Sequence, residues 1–310
     1  MRAFVLACAV ACSSGLHGPP SGPIRDAAFV KLGGIDQWIT IRGANRANPI
    51  LLVVHGGPGD AQSVVPAAYE GYEADFTVVQ WDQRGAARTF RVNPTAMPEP
   101  DRVIEDGVEL ARYLARRFAR PIIVVGHSWG SYLGTGQVGN WTENVQAQFA
   151  FLLSHARAAG DRETVAKLEA IGTPDPTSAE QYFSWWSVRN PYIAPSDLAW
   201  IAKLRASIKD DPATAELVGA GMQFSGKALV GAMLAEDLPR TVPRLAVPFI
   251  VIQGADDMIT PTSVAASYVA VVQAPSKKMI TIPNAGHFAI VTHVAEFRAA
   301  LLRDVRPFAR

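Results

Sequence analysis

At 310 residues, with 49% hydrophobic side chains, the chain can bury one large core, or one core carrying an inserted sub-domain. A formal net charge of +1, with charged residues at 18%, leaves no basic stripe or acidic tail, which sets nucleic acid aside as a partner. A nearly neutral chain suits a small, neutral or weakly charged molecule as its substrate.

The chain begins Met1-Arg2, followed by the small and apolar run Ala3–Ala11, which has the shape of a short signal-peptide hydrophobic region. Ala9-Val-Ala-Cys12, then Ser-Ser-Gly, resembles a bacterial lipoprotein cleavage site with Cys12 as the acylated residue. This pattern favours an exported or lipid-anchored protein over a cytoplasmic one. Ser13–Pro23 is rich in Gly, Pro and Ser, so residues 1–23 read as a signal or lipoprotein segment and linker. Cys8 and Cys12 are the only cysteines, so no disulfide and no thiolate metal site are expected in the folded part. No later run approaches the roughly 18 apolar residues that a membrane span needs.

Ala27–Leu32 and Gln37–Arg42 alternate around Gly33-Gly34 and predict a hairpin. Pro49–Val54 and Asp75–Trp81 are continuous apolar runs, as in strands buried on both faces. Ala61–Glu73 between them has room for a short helix. Apolar residues at 103, 104, 108, 110, 111 and 114 predict a helix over 101–117, and a β-branched strand follows at 121–125. Such alternation predicts an α/β fold with a doubly wound, mostly parallel sheet. From about 140 to 240 the pattern is helical throughout, with helices predicted at Glu143–Ala159, Asp161–Ile171, Ala179–Val188, Asp197–Ser207 and Lys227–Glu236. The breaks fall at Gly172–Pro176, Asn190-Pro191 and Asp211-Pro212. Strands return at Pro248–Gln253 and Lys278–Ile282, with helices at Ser263–Val272 and Ala295–Asp304. The chain therefore divides into a core, 24–139 with 241–310, and an inserted helical cap, 140–240.

Gly126-His-Ser-Trp-Gly130 directly follows the strand at 121–125. A G-x-S-x-G at a strand end is a nucleophile elbow, a turn so tight that residues two before and two after the serine must lack bulk. A serine hydroxyl needs a base within hydrogen-bond reach, itself oriented by a carboxylate. Gly254-Ala-Asp-Asp257 follows the strand at 248–253, and Pro283-Asn-Ala-Gly-His287 follows the strand at 278–282. The G-x-x-D pattern favours Asp257 over Asp256 as the acid, and His287 is the candidate base. Among the other histidines, His17 lies in the linker, His155 on a cap helix, and His293 six residues after the base. His55-Gly-Gly-Pro-Gly59 closes the strand at 49–54, and its glycines let backbone approach a substrate. Gly57 and Trp129 are the candidate oxyanion donors, while His55 and His127 are expected to brace their loops.

Together with Trp81-Asp-Gln-Arg-Gly85, these motifs resemble the proline iminopeptidase branch of the α/β-hydrolase superfamily, over most of 24–310. The resemblance implies Ser128, Asp257 and His287 as a triad, Gly57 with Trp129 as an oxyanion hole, and structural roles for Asp82 and Arg84. It implies no cofactor and no metal. Two departures bear on function. Iminopeptidases resemble one another in a cap segment where tryptophans lead to a glutamate that holds the substrate amine. Here the comparable stretch is Trp185-Trp186-Ser-Val-Arg189, with a cation in place of the anion. Arg189 would repel an ammonium group unless Glu180 or Glu236 takes over. Esters or lactones therefore rank above N-terminal prolyl substrates, with Trp185, Trp186 and Arg189 as candidate pocket residues. A degenerate, non-catalytic binding protein ranks third.

The second departure is length. Only nine residues, Ser131–Gly139, separate the elbow from the cap, too few for a nucleophile helix and a further strand. The expectation is a truncated helix with no strand after it. The strands at 121–125 and 248–253 should then pair directly, or a cap segment should cover their edges.

Overall fold

The computed structural model describes residues 21–135, 141–173, 188, 192–209, 211–235 and 237–309. The lipoprotein-like segment with Cys12, the pocket candidates Trp185, Trp186 and Arg189, and the carboxylates Glu180 and Glu236 lie outside these residues.

β1 (Ile24–Leu32) and β2 (Ile35–Gly43) form the antiparallel hairpin, turning on Gly33 and Gly34 at φ of 55° and 80°. Both glycines occupy the left-handed region that side-chain-bearing residues avoid. β3 (Ile50–Val54), β4 (Thr77–Trp81) and β5 (Ile122–Gly126) complete a five-stranded sheet in the order β1-β2-β4-β3-β5. β3 lies parallel to both β4 and β5, and every residue of β3 and β4 is buried. Side chains alternate along β3. Ile50, Leu52 and Val54 join Leu110 and Leu114 of α2 (Pro100–Phe118), while Leu51 and Val53 join Tyr69, Tyr72 and Phe76 on the other face. Each such side chain contributes about 1.5–3 kcal/mol by leaving water. The 61–73 segment forms two short 3-10 turns, Gln62–Val64 and Pro66–Tyr72. A one-and-a-half-turn helix, α1 (Ala87–Val92), has no counterpart in the sequence pattern.

Between 141 and 235 the described residues form helices and turns: α4 (Trp141–Ala158), α5 (Arg162–Ile171), α6 (Pro195–Lys209) and α7 (Pro212–Leu234). α7 starts fifteen residues before the expected Lys227. Three glycines, Gly219, Gly221 and Gly226, weaken helix propensity there and hide its true start. Asp211 caps it by accepting the Thr214 N–H at 3.0 Å, with Pro212 in the first turn. Gly221 also allows close approach to the core, since a Cβ on it would lie 2.8 Å from the Ala87 nitrogen. No helix of the described residues is long and apolar enough to cross a membrane.

The last strands form a separate unit. β6 (Phe249–Gly254) and β7 (Lys277–Ile282) run parallel, with α8 (Thr262–Val271) packed on them through Ala265 and Tyr268. The region after the elbow corrects the sequence expectation. α3 (Trp129–Thr135) is short and α4 begins at Trp141, with 136–140 outside the described residues. Yet among the described residues no ladder joins β5 to β6, and no helix of the 141–235 region lines the space between them. A cleft of about 300 Å³ separates the two strands, lined in part by Phe297 of α9 (Val294–Ala300) and by Leu301, Val305 and Phe308 beyond it. Side chains bridge what backbone does not: Leu51, Val53 and Ile123 share one cluster with Ile282, Phe297 and Leu301. Val124 of β5 is left 46% exposed, since nothing among the described residues pairs beside it on that edge.

Candidate active site

β5 ends at Gly126 and α3 starts at Trp129, so the chain reverses within two residues. Ser128 adopts a φ of 53°, a left-handed conformation that costs a non-glycine residue on the order of 1–3 kcal/mol. The turn is held by Gly130 N–H to the His127 carbonyl and Ser131 N–H to the Ser128 carbonyl, both 2.8 Å. A Cβ on Gly130 would run into the Val54 carbonyl, and one on Gly126 into that of Gly130. The glycines are therefore steric necessities, and Ser128 is lifted, half-buried, at the carboxyl end of the sheet.

Asp257 and His287 come from the loops after β6 and β7. His287 Nδ1 donates to Asp257 Oδ2 at 3.0 Å and lies 3.2 Å from Oδ1, with both residues buried. The Asp257 carboxylate is over-determined. Ile259 N–H and Thr260 N–H donate to Oδ1 at 2.9 Å each, and the Thr260 hydroxyl and Gln253 amide donate to Oδ2 at 2.7 and 2.8 Å. Burial pushes the Asp257 carboxyl up, but the facing His287 and these bonds outweigh it and hold it below the usual range. Asp256, the rejected neighbour, is exposed. Val125, Gly126, His127, Ser128, Asp257 and His287 all line one cavity of about 70 Å³, at the carboxyl ends of β5 and β6.

The His55–Gly59 loop sits against the elbow, with the Gly56 Cα so placed that a Cβ would be 3.0 Å from that of Ser128. Gly57 follows at a φ of 111°, and its backbone is exposed. His55 Nδ1 donates to the Gly56 carbonyl at 2.9 Å, and its Nε2 accepts the Gln83 N–H at 3.3 Å. His127 Nε2 donates to the His287 carbonyl at 3.0 Å, and its Nδ1 has no partner among the described residues. Burial drives both rings toward the neutral form, His55 down to about 4 and His127 to about 3, with the nearby His287 also lowering the latter. Asp82 and Arg84 lie in the loop after β4. Arg84 forms a buried ion pair with Asp106 at 2.8 Å, and Asp82 accepts from Ser63 at 2.5 Å and from Arg88 N–H at 3.1 Å.

A model of the family described as serine aminopeptidase, S33, matches residues 45–291, most of this chain. The chain belongs to this family of α/β-hydrolases. "Probable aminopeptidase YbaC" of Bacillus subtilis (strain 168) is 25% identical over 305 residues, covering 89% of this chain and 95% of that protein. A proline iminopeptidase-related protein from Thermus thermophilus superposes with a TM-score of 0.58 at 18% identity, over 92% of this chain and 99% of its own. A thermophilic esterase from Thermogutta terrifontis does so with a TM-score of 0.56 at 18% identity, over 93% and 99%.

In this S33 hydrolase two residues near the site escaped the sequence reading. Gln83 ties three loops together: its amide donates to the His55 carbonyl at 2.9 Å and accepts from Trp129 Nε1 at 3.1 Å. It lies in the Trp81–Gly85 motif, so its position was visible but its contacts were not. Asp197 of α6 is the other. It is buried, and it accepts the backbone N–H of His287 at 2.6 Å and of Phe288 at 3.1 Å. In sequence it reads as an ordinary acidic residue in a first helical turn.

Proposed function

We propose that the protein is a serine hydrolase that cleaves a carboxylic ester or lactone through an acyl-enzyme on Ser128. The observation that carries this reading is the convergence on one cavity of an elbow serine held at a φ of 53° and a buried His287–Asp257 pair. His287 Nδ1–H donates to Asp257, so that the other ring nitrogen carries the lone pair, as a general base requires. Ser128 Oγ attacks the acyl carbon while His287 takes its proton. The resulting oxyanion is stabilised by the backbone N–H groups of Gly57 and Trp129, a pair whose contribution is about 3–4 kcal/mol per donor at such sites. His287 returns the proton to the leaving alcohol. Water then repeats the sequence on the acyl-enzyme and releases the acid. Neutral imidazoles at His55 and His127 put no positive charge beside the loops that hold the oxyanion donors, leaving stabilisation to oriented N–H groups.

The alternative is an aminopeptidase of the iminopeptidase type, which the name of the Bacillus relative supports. The same triad serves both, so the pocket decides. Arg189 stands where iminopeptidases resemble one another in carrying the amine-binding glutamate, and this ranks neutral esters first. Paired assays of p-nitrophenyl esters of rising chain length against prolyl and alanyl p-nitroanilides test the ranking. Esters are expected to be turned over faster, and Arg189→Glu is expected to raise anilide turnover relative to ester turnover. Faster prolyl anilide hydrolysis by the unmodified protein would reverse the ranking.

A further inference from the structure

His287 is reached from four sides by charged or titratable groups among the described residues. Asp257 faces it from the β6 loop, His127 from the elbow with its ring centroid 4.8 Å away, Asp60 from the loop after β3, and Asp197 from α6. Asp197 differs from the rest because it grips backbone. Its two oxygens separately accept the N–H groups of His287 and Phe288, so one carboxylate fixes the peptide planes on both sides of the base. The fit is close. A Cβ on Gly286 would collide with the Asp197 carboxylate, so this loop position holds the one residue without a side chain.

Asp197 is only 2% exposed and has no lysine or arginine partner among the described residues. A buried carboxylate without a cation is costly unless hydrogen bonds or a facing positive charge compensate it. Here the two N–H groups do so, together with the imidazolium that forms on His287 during turnover. Burial, with the nearby Asp257 charge, outweighs the two N–H bonds and His287, so the Asp197 carboxyl stays above the usual carboxylate range. The same helix is anchored nearby by Trp200, which is buried in one cluster with Ile290 and Val291. α6 therefore reaches the base loop both through apolar packing and through one ionic clamp.

We propose that Asp197 is a positioning residue for His287: its carboxylate clamps the base loop and places a second negative charge beside the imidazole, so that alignment of the base depends on α6 being docked. The inference rests on His287 being the base. It adds a requirement that the triad alone does not contain, since movement of α6 off the core would release the loop that carries the base. A carboxamide at 197 has one acceptor oxygen for two N–H groups and no charge, so both contributions are lost together.

Asp197→Asn is expected to lower kcat for a p-nitrophenyl ester by about 10–100-fold, as small misplacements of a catalytic group do. KM is expected to stay within about threefold, because the substrate-facing groups are untouched. The acidic limb of the kcat/KM profile should move down by about one pH unit, since an anion beside the imidazolium is gone. A folded Asp197→Asn variant with unchanged kcat, or with reduced kcat and an unmoved acidic limb, would overturn the proposal. If that variant does not fold, amide ¹⁵N–¹H shifts of His287 and Phe288 in the unmodified protein give the answer. They should titrate together with a carboxyl group, and shifts that stay flat with pH would overturn the clamp. Fluorophosphonate labelling of Ser128 is read alongside. Its failure in the unmodified protein would sink the hydrolase reading, while the amide titration still reports on Asp197.

Discussion

Ser128→Ala, His287→Ala and the double variant are expected to lose the same activity, about 10⁴–10⁶-fold in kcat, because the groups act as one unit. The structure sharpens the expectation for the acid. Asp257 receives four donors besides His287. Asp257→Asn turns one oxygen into an NH₂ group, which then faces donors instead of accepting from them. It also lets His287 adopt the wrong tautomer, so turnover should fall by about four orders of magnitude. A stability loss of about 1–3 kcal/mol should accompany it, from the buried donors left without an acceptor. Asp256→Asn, at an exposed position in the same loop, should change neither. Steady-state kinetics with thermal melts of the four single variants and the double variant test this. A silent Asp257→Asn would remove Asp257 from the chemistry.

The second large effect is acid lability. His55 and His127 are held neutral by burial, with values depressed from 6.5 to about 4 and about 3. The unfolded chain binds these protons as pH drops below 6.5 and the folded protein does not. Their stabilising effect is thus complete above 6.5 and is lost as pH falls toward the depressed values. By pH 4 the loss is about 3 kcal/mol for each ring. Asp82 runs the other way. Burial raises its carboxyl from 3.8 to about 6 against the bonds from Ser63 and Arg88, so its contribution is present below 3.8 and is lost as pH rises through 6. That recovers about 3 kcal/mol on acidification and leaves a net loss of about 3 kcal/mol from the three groups. Against a total stability of about 5–15 kcal/mol, this is a large fraction. Urea unfolding midpoints between pH 7.5 and 4.5 should fall accordingly. His127→Gln should flatten the decline, since a glutamine cannot take up the proton. An unchanged slope in that variant would show that the ring is not the source.

The parts of the site that a strand or glycine pattern dictates were legible in the sequence. Ser128 follows from the spacing of Gly126 and Gly130, and His287 and Asp257 follow from loops at strand ends. These are consequences of local geometry, in which a short peptide contains its own reason. Asp197 was not legible, because its role depends on a contact across ninety residues and an acidic first turn has a sufficient local explanation. The early start of α7 was hidden by Gly219, Gly221 and Gly226, which weaken helix propensity, and of these it is Gly221 whose value lies in close backbone approach to the core. The length of Ser131–Gly139 predicts a short helix after the elbow, and α3 ends at Thr135, while 136–140, where a further strand would have to fit, lie outside the described residues. The residues lining the gap between β5 and β6 were not legible in the sequence, because Phe297 and Leu301 come from the far end of the chain.

The separation of β5 from β6 has a consequence for how the protein responds to heat. Asp257 and His287 ride on one two-stranded unit and Ser128 on the other sheet. His287 and Asp257 therefore keep their spacing through a shared ladder, whereas the elbow is joined to that unit by the hydrogen bond from His127 to the His287 carbonyl and by side-chain contacts among Ile123, Ile282, Phe297 and Leu301. Such contacts loosen locally before the whole fold is lost, because opening a small cooperative unit costs less than global unfolding. The temperature optimum of catalysis should therefore lie well below the melting temperature, with activity fading reversibly while the secondary structure is still intact.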